Sequence, residues 1–412
     1  MVGGKGNAMS CPPLSGHLLR MNSFEQQILD VIQDAFPLTE RPYLRLAEML
    51  NCDSKKDAGE KCANLVVTEQ KVFDAVEKMR TSGVIRRIGG VYDSKKLGFI
   101  SRLCAGKVPA SSLDFSEEPH ALTSMESFAT VVMDEPAITH NYIRSHEYNV
   151  WFTVIAENEF AIQTVVDRVC AKTELHDVHV LTATKKYKIN TVMSLDERRG
   201  SAGSPTLTKD ERGESAPALR HSETRSVEES SKFPGTLSEA DRIRIHIACG
   251  DIPHSLTPFK DWGVSCDELR EDLAAKRMRR FGAILRHQDA GFPCNAMVCF
   301  RIVDSRKSEV ESDNSDSRNV ILSGDAAKNP VKSCDLIAQA GSILALNPHI
   351  SHCYERPTFE GFPYNLYAMM HAPSEDLLSR YIEDAAKSID NSNYVVLNSL
   401  RELKKTSFRF FA

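Results

Sequence analysis

Apolar positions along the first hundred residues recur with two different periods. Between Asn22 and Asp34, Phe24, Ile28, Val31 and Ile32 fall on one helical stripe, and Ser23 stands three residues before Gln26 with the spacing of a capping box. A first helix is predicted there. Leu44, Leu46, Ala47 and Leu50 predict a short second helix over Pro42 to Leu50, and Val72, Val76 and Met79 a third over Glu69 to Thr81, closed by Gly83 at a natural C-cap position. Cys52 to Asn64, between them, is polar and charged and is expected to be an inserted loop. From Val84 to Tyr92 the pattern turns to strand, and Asp93-Ser94-Lys95-Lys96 predicts a turn before Leu97-Gly98-Phe99. Three helices and a two-stranded ribbon make residues 21–100 a winged helix-turn-helix.

Residues 101–190 carry a strand (Leu103 to Val108), a helix around Leu113 to Met125, two strands (Ala129 to Met133, then Thr139 to Ile155 around a turn), a helix (Glu157 to Cys170) and a strand (Asp177 to Thr184). That order suits a ferredoxin-like βαββαβ sheet with its helices on one face. Residues 191–236 are rich in Ser, Gly, Glu and Arg and poor in large apolar side chains, so burial cannot offset the entropy of ordering them, and they are expected to be a flexible linker.

After the linker the landmarks return in the same order. Arg86-Arg87-Ile88-Gly89 matches Arg279-Arg280-Phe281-Gly282, 193 positions later, without a gap through Leu97-Gly98-Phe99 and Ala290-Gly291-Phe292. His140-Asn141-Tyr142-Ile143-Arg144 matches His352-Cys353-Tyr354-Glu355-Arg356 at 212, and Tyr148-Asn149 matches Tyr364-Asn365 at 216. The chain is therefore a tandem duplication of the α+β class. The second copy has its winged helix over 237–293 and its ferredoxin-like domain over 294–412, interrupted by a Ser/Asp/Asn-rich insertion at about 305–331 that is expected to be disordered.

Composition narrows the function classes. A chain of 412 residues is long enough for more than one core, and a formal net charge of -5 gives no global attraction to nucleic acid or to an anionic membrane. No run of apolar residues reaches the roughly 18 to 20 that a spanning helix needs, and 1–20, a glycine- and proline-containing tail expected to be disordered, lacks a signal core. The eleven cysteines are scattered without CxxC pairs, as in a reduced cytoplasmic protein. No Walker loop, Gly-x-Gly-x-x-Gly after a strand, Gly-x-Ser-x-Gly or closed zinc spacing is present, which favours chemistry needing only acid, base and positioned charge.

Both copies carry a His-x-Tyr-x-Arg segment: His140, Tyr142, Arg144 and His352, Tyr354, Arg356. On a strand these alternate residues share one face, offering a titratable imidazole, a phenol and a planar cationic fork to one ligand, or else simply satisfying one another on the sheet surface. His146, Tyr148, Asn149 and Trp151 surround the first trio, and Tyr364, Asn365 and Tyr367 the second, with core packing the expected fate of Trp151. The wings add Arg86, Arg87, Lys95 and Lys96 in one copy, with Lys276, Arg277, Arg279, Arg280, Arg286 and His287 in the other. The helices before the wings carry many carboxylates, Glu69, Asp74 and Glu77 in one and Asp267, Glu268, Glu271 and Asp272 in the other, so a phosphate-lined groove would repel them. The wing arginines would then serve a smaller polyanion.

Three stretches carry a family resemblance in the first copy: Phe36-Pro37-Leu38 with Arg41-Pro42, the run from Arg86 to Gly98, and His140-Asn141-Tyr142 through Tyr148-Asn149-Val150-Trp151-Phe152. They resemble the smaller subunit of siroheme decarboxylases. Arg279 to His287, Gly291-Phe292, Ser351 to Thr358, Pro363 to Tyr367 and Lys404-Lys405-Thr406-Ser407 resemble the partner subunit. The family shares its architecture with the Lrp/AsnC regulators and includes the equivalent proteins of heme d1 synthesis. The resemblance implies two subunits fused in one chain, halves that pair with each other with further dimerisation left open, and conversion of siroheme to didecarboxysiroheme on a route to heme or heme d1. It implies no cofactor beyond the iron of siroheme itself, with heme a molecule that would co-purify, and no nucleic-acid or membrane partner. His140 and His352 are the expected proton donors or axial iron ligands, Arg144 and Arg356 the holders of carboxylates, and Tyr142 and Tyr354 their orienting partners. Arg279, Arg280, Arg286, His287, His146, Tyr364 and Asn365 are the expected further substrate contacts. The fusion and the two insertions depart from the family pattern. A ligand-responsive DNA-binding regulator and a heme-binding sensor without turnover are the competing readings, since fold alone does not fix function.

Overall fold

A computed structural model of the chain describes residues 21–57, 66–109, 124–173, 175–189, 237–286, 289–303 and 333–411. The predicted tail, the linker, the insertion at about 305–331 and His287 lie outside them. The first copy runs α1 (Ser23–Asp34), α2 (Pro42–Asp57), α3 (Glu69–Thr81), β1 (Ile85–Tyr92), a 3-10 turn (Ser94–Leu97), β2 (Ile100–Lys107), α4 (Ser124–Asp134), β3 (Ile138–Arg144), β4 (Val150–Ala156), α5 (Glu159–Lys172), β5 (His176–Leu181) and β6 (Lys185–Ile189). The second repeats it as α6 (Glu239–Ala248), α7 (Pro258–Trp262), α8 (Cys266–Ala274), β7 (Met278–Leu285), β8 (Cys294–Phe300), α9 (Ser333–Leu346), β9 (Ile350–Glu355), β10 (Leu366–Ala372), α10 (Glu375–Ser388) and β11 (Tyr394–Lys405). Among the described residues no helix is long and apolar enough to cross a membrane.

Three expectations about single elements need correction. The α1 capping box is set one residue earlier than predicted: Asn22 Oδ1 accepts from Glu25 N at 2.8 Å while Glu25 Oε2 accepts from Asn22 N at 3.0 Å. Cys52 to Asp57, expected in a loop, continues α2; residues 58–65 lie outside the described ones. Ala129 to Met133, expected as a strand, belongs to α4, where Met125, Phe128, Ala129 and Val132 are buried. Their i, i+3, i+4 spacing outweighs the local β-branched run.

The chain divides into two compact units. The larger comprises Met1–Val180, Val192–Cys294 and Leu400–Ala412, and so contains the winged-helix elements of both copies. Each wing strand was expected to pair within its own copy; instead β1 and β7 pair with each other, antiparallel, with Gly89 opposite Gly282 and Ile88 opposite Ala283. Gly282 is the duplicate of Gly89, and around this pair Ile88 faces the duplicate of Gly90 while Gly90 faces Phe281, the duplicate of Ile88, so the ribbon is the centre of a local two-fold arrangement. The physical cause is legible in the glycines. A Cβ on Gly89 would lie 2.2 Å from the Gly250 carbonyl oxygen at the end of α6, and one on Gly282 would lie 2.6 Å from the Ile32 oxygen near the end of α1. Only a bare backbone lets each helix end rest on the other copy's strand. One core then serves both helix triples, with Ile28, Ile32, Phe36, Val72 and Val76 from one copy and Ile245, Phe259, Leu269 and Phe281 from the other. Gly89→Ala is accordingly expected to lower the unfolding free energy of this unit by about 1–3 kcal/mol, read as an earlier denaturant midpoint.

Each ferredoxin-like sheet has the same strand order. It is β5-β2-β4-β3 in the first copy and β11-β8-β10-β9 in the second. In the larger unit Cys104, Val150, Phe152 and Val154 face Phe128 and Val132 of α4 and Ile162, Val166 and Val169 of α5. In the smaller unit, Leu181–Thr191 and Asn295–Ser399, β11 pairs β8 with Val396 opposite Val298, and β10 pairs β9 with Ala368 opposite Cys353. The edge strand of each sheet is covered by a segment from the other copy. Residue Thr406 donates its backbone N–H to Thr139 at the start of β3 (2.8 Å), and β6 pairs β9 with Lys186 opposite Tyr354. Covering edges this way removes two unpaired rows of N–H and C=O groups.

Candidate active site

Strand alternation does what the sequence pattern promised. On β3, Ile138, Thr139, Asn141 and Ile143 are buried, while His140 and Tyr142 are half-buried on the opposite face. Arg144 is buried at 4% exposure and lays its guanidinium 4.9 Å from the Tyr142 ring centroid. The same stacking recurs in the second copy, with Arg356 5.1 Å from Tyr354 and 5.9 Å from Tyr367. The geometry is a cation held over phenol rings in each sheet. Each histidine also meets the hydroxyl just before it: His140 Nδ1 lies 2.9 Å from Thr139 Oγ1, and His352 Nδ1 2.9 Å from Ser351 Oγ.

Other parts of the two trios differ. In the larger unit Tyr142 hydrogen-bonds Glu402 of β11, whose carboxylate also accepts from Arg86 at 3.0 Å. Burial and the Glu402 charge together push the Tyr142 phenol well above its ordinary range. In the smaller unit Ser351 Oγ also reaches His371 Nε2 of β10 at 3.1 Å, so two imidazoles share one hydroxyl. Arg356 donates to the Leu181 carbonyl at 2.8 Å. Glu402, Ser351 and His371 were not found from sequence: Glu402 lies 260 positions from Tyr142 and meets it only through strand addition, and His371 has no counterpart in the first copy, where Ile155 stands.

The remaining predicted residues separate into two groups. Asn365 is bonded on both ends of its amide to the Ile302 backbone (2.9 and 2.9 Å), as Asn149 is to Val108 (2.9 and 2.8 Å), so both tie a strand end to the turn beside the trio. Tyr364 packs edge-on against Phe362 at 4.9 Å. His146 stacks on Tyr148 and accepts its backbone N–H at 3.0 Å, and burial pushes its imidazole below the ordinary value. Trp151 is buried at 1%, as expected, with its indole N–H donated to the Tyr148 carbonyl.

The wing arginines are mostly spoken for. Arg87 donates to Gly250 O (3.1 Å) and Arg280 to Gln33 O, so each caps the helix end that rests on the ribbon, and burial lowers both to about 10. Arg279 reaches Tyr92 O at 3.3 Å and Asp93 at 3.6 Å; Arg286 pairs with Asp289 at 3.5 Å; both remain exposed. Asp272, counted among the carboxylates of a repelling helix, is fully buried instead and takes Arg244 (3.2 Å), Arg277 (2.8 Å) and the Tyr92 hydroxyl (2.9 Å).

Comparison with known proteins settles the family. The AsnC-like ligand binding domain matches residues 96–188 and 331–404, and the siroheme decarboxylase NirDL-like HTH domain matches 25–56. The siroheme decarboxylase alpha subunit of Desulfovibrio desulfuricans is 36% identical over 179 residues, which are 43% of this chain and 87% of that subunit. The chain belongs to the siroheme decarboxylase family. A single-chain siroheme decarboxylase from Hydrogenobacter thermophilus is 27% identical over 95% of this chain and 96% of its own length, so this member carries two subunits' worth of sequence in one polypeptide. The crystal structure of the siroheme decarboxylase NirDL in complex with an iron-uroporphyrin III analogue matches at a TM-score of 0.51 and 25% identity, covering 95% of each chain.

Proposed function

We propose that the chain decarboxylates siroheme, converting two acetate arms to methyl groups, as a carbon–carbon lyase. The observation that carries this is the family match together with a His-Tyr-Arg trio on the helix-free face of each ferredoxin-like sheet. Loss of carbon dioxide breaks the bond between the methylene and the carboxyl carbon and leaves the electron pair on the methylene. The conjugated macrocycle spreads that charge until a proton arrives, so the protein must hold a carboxylate and supply an acid.

Arg356 and Arg144 are the proposed carboxylate anchors, because a guanidinium held over tyrosine rings offers a planar fork to a carboxylate. His352 or His140 gives the proton or ligates the substrate's iron, each oriented by the neighbouring hydroxyl, and Tyr354 and Tyr142 position the arm. Arg279 and Arg286, exposed on β7 and just after it, are the wing residues suited to further carboxylates, with His146 and Tyr364 beside the trios. Arg280 and Asn365 support the frame around those contacts. No cofactor beyond the substrate's iron is needed for this chemistry.

Decarboxylation in deuterium oxide tests the step. Each new methyl group is expected to carry one deuterium, with two carbon dioxide molecules released per siroheme. Siroheme recovered with its carboxylates intact after binding would instead favour a heme-type sensor, and failure to bind siroheme alongside tight DNA binding would favour the regulator reading.

A further inference from the structure

The duplication supplies two trios, and their surroundings carry opposite charge. In the larger unit the strand added at the sheet edge brings Glu402 onto the trio. Its carboxylate takes a hydrogen bond from Tyr142 and another from Arg86 at 3.0 Å, and it is only 16% exposed. Arg144, stacked on the same tyrosine, is itself 4% exposed. The Tyr142 phenol of the first trio therefore already has a carboxylate partner, supplied by the chain itself. In the smaller unit the added strand is β6, and it brings lysines. Lys186, exposed, stands directly opposite Tyr354 on β9, which puts both side chains on one face. Its neighbour Lys185 lies 5.0 Å over the Tyr187 ring, and the nearby carboxylate, Glu355, is hydrogen-bonded by the Tyr187 hydroxyl at 3.0 Å on the alternate face. Arg356 in this trio is half-buried rather than enclosed. The proton route also differs, since His352, Ser351 and His371 form one chain here while the first copy has Ile155 at the position of His371.

Resting on the decarboxylase reading and narrowing its anchors from both trios to Arg356, His352 and Tyr354, we infer that the two trios are not equivalent: Glu402 is an internal carboxylate that closes the first to substrate, and Lys186 helps make the second the site that takes a substrate carboxylate. Glu402 is thus a specificity-determining residue acting by occupation of the Tyr142 hydroxyl with an internal carboxylate. A polycarboxylate approaching the first trio meets a negative charge already compensated by Arg86. Approaching the second, it meets an added positive one.

The test is titration of the full chain with siroheme under anaerobic conditions, following the Soret band for stoichiometry and affinity. The wild-type chain is expected to bind one equivalent. Glu402→Gln, which keeps the side-chain shape, is expected to admit a second equivalent, while Lys186→Glu, at an exposed position that folding tolerates, is expected to weaken the first by about tenfold. Two equivalents on the wild-type chain, or one equivalent unchanged in both variants, overturns the inference and leaves the decarboxylase reading standing. No binding by the wild-type chain overturns that reading and the inference with it.

Discussion

Arg356→Ala is expected to lower kcat/KM for siroheme by about 10²–10³-fold, the usual effect of removing one preorganised charged donor from a reacting group. The guanidinium is fixed by its bond to the Leu181 carbonyl at 2.8 Å and by the Tyr354 and Tyr367 rings at 5.1 and 5.9 Å. It can therefore hold an acetate carboxylate without reorganising. Arg356→Lys keeps the charge and loses the planar fork, so it is expected to recover part of the rate but not all of it. Steady-state kinetics of both variants check this, with a thermal melt of each to separate lost anchoring from lost packing. Equal rates for wild type and Arg356→Ala would remove Arg356 from the site.

Asp272→Ala has the largest expected effect on stability. This carboxylate has no exposed surface and accepts from Arg244, Arg277 and Tyr92 at once. Removing it leaves two guanidinium groups and a buried hydroxyl facing one another, which costs about 3–5 kcal/mol. Asp272→Asn keeps two of the polar contacts possible and is expected to fall between. Since Tyr92 comes from the first copy and Arg244, Arg277 and Asp272 from the second, the loss loosens the shared helical core, and chemical denaturation should show that transition moving to lower denaturant. A change within experimental error would mean that water or a relaxed Arg244 compensates.

Periodicity made the repeat and most of the elements legible. The helical stripe of Ile28, Val31 and Ile32, the αL position at Gly83 (φ 83°) and the alternation through His140, Tyr142 and Arg144 are all local properties of the chain, and each appears in the fold as expected. What the sequence hid were pairings that depend on partners far away. β1 carries the same strand pattern whether it pairs with its own hairpin or with β7, and only the close approach of the Gly250 and Ile32 carbonyls to Gly89 and Gly282 decides between them. The wing arginines looked alike as a basic run, yet Arg87 and Arg280 cap helix ends while Arg279 and Arg286 stay exposed. Asp272 looked like one more surface carboxylate on an acidic helix; helical phase turns it inward onto Arg244. Glu402 reaches Tyr142 because the chain from Leu400 onward lies along β3, where Lys404 N donates to Asn141 Oδ1, and no local motif announces that pairing.

The most direct measurement is anaerobic incubation of the purified chain with siroheme, following product mass by liquid chromatography. Stepwise loss of two carbon dioxide units, through a detectable singly decarboxylated intermediate, is the predicted result. Siroheme that returns unchanged in mass from a chain that binds it would contradict the assignment of a decarboxylase.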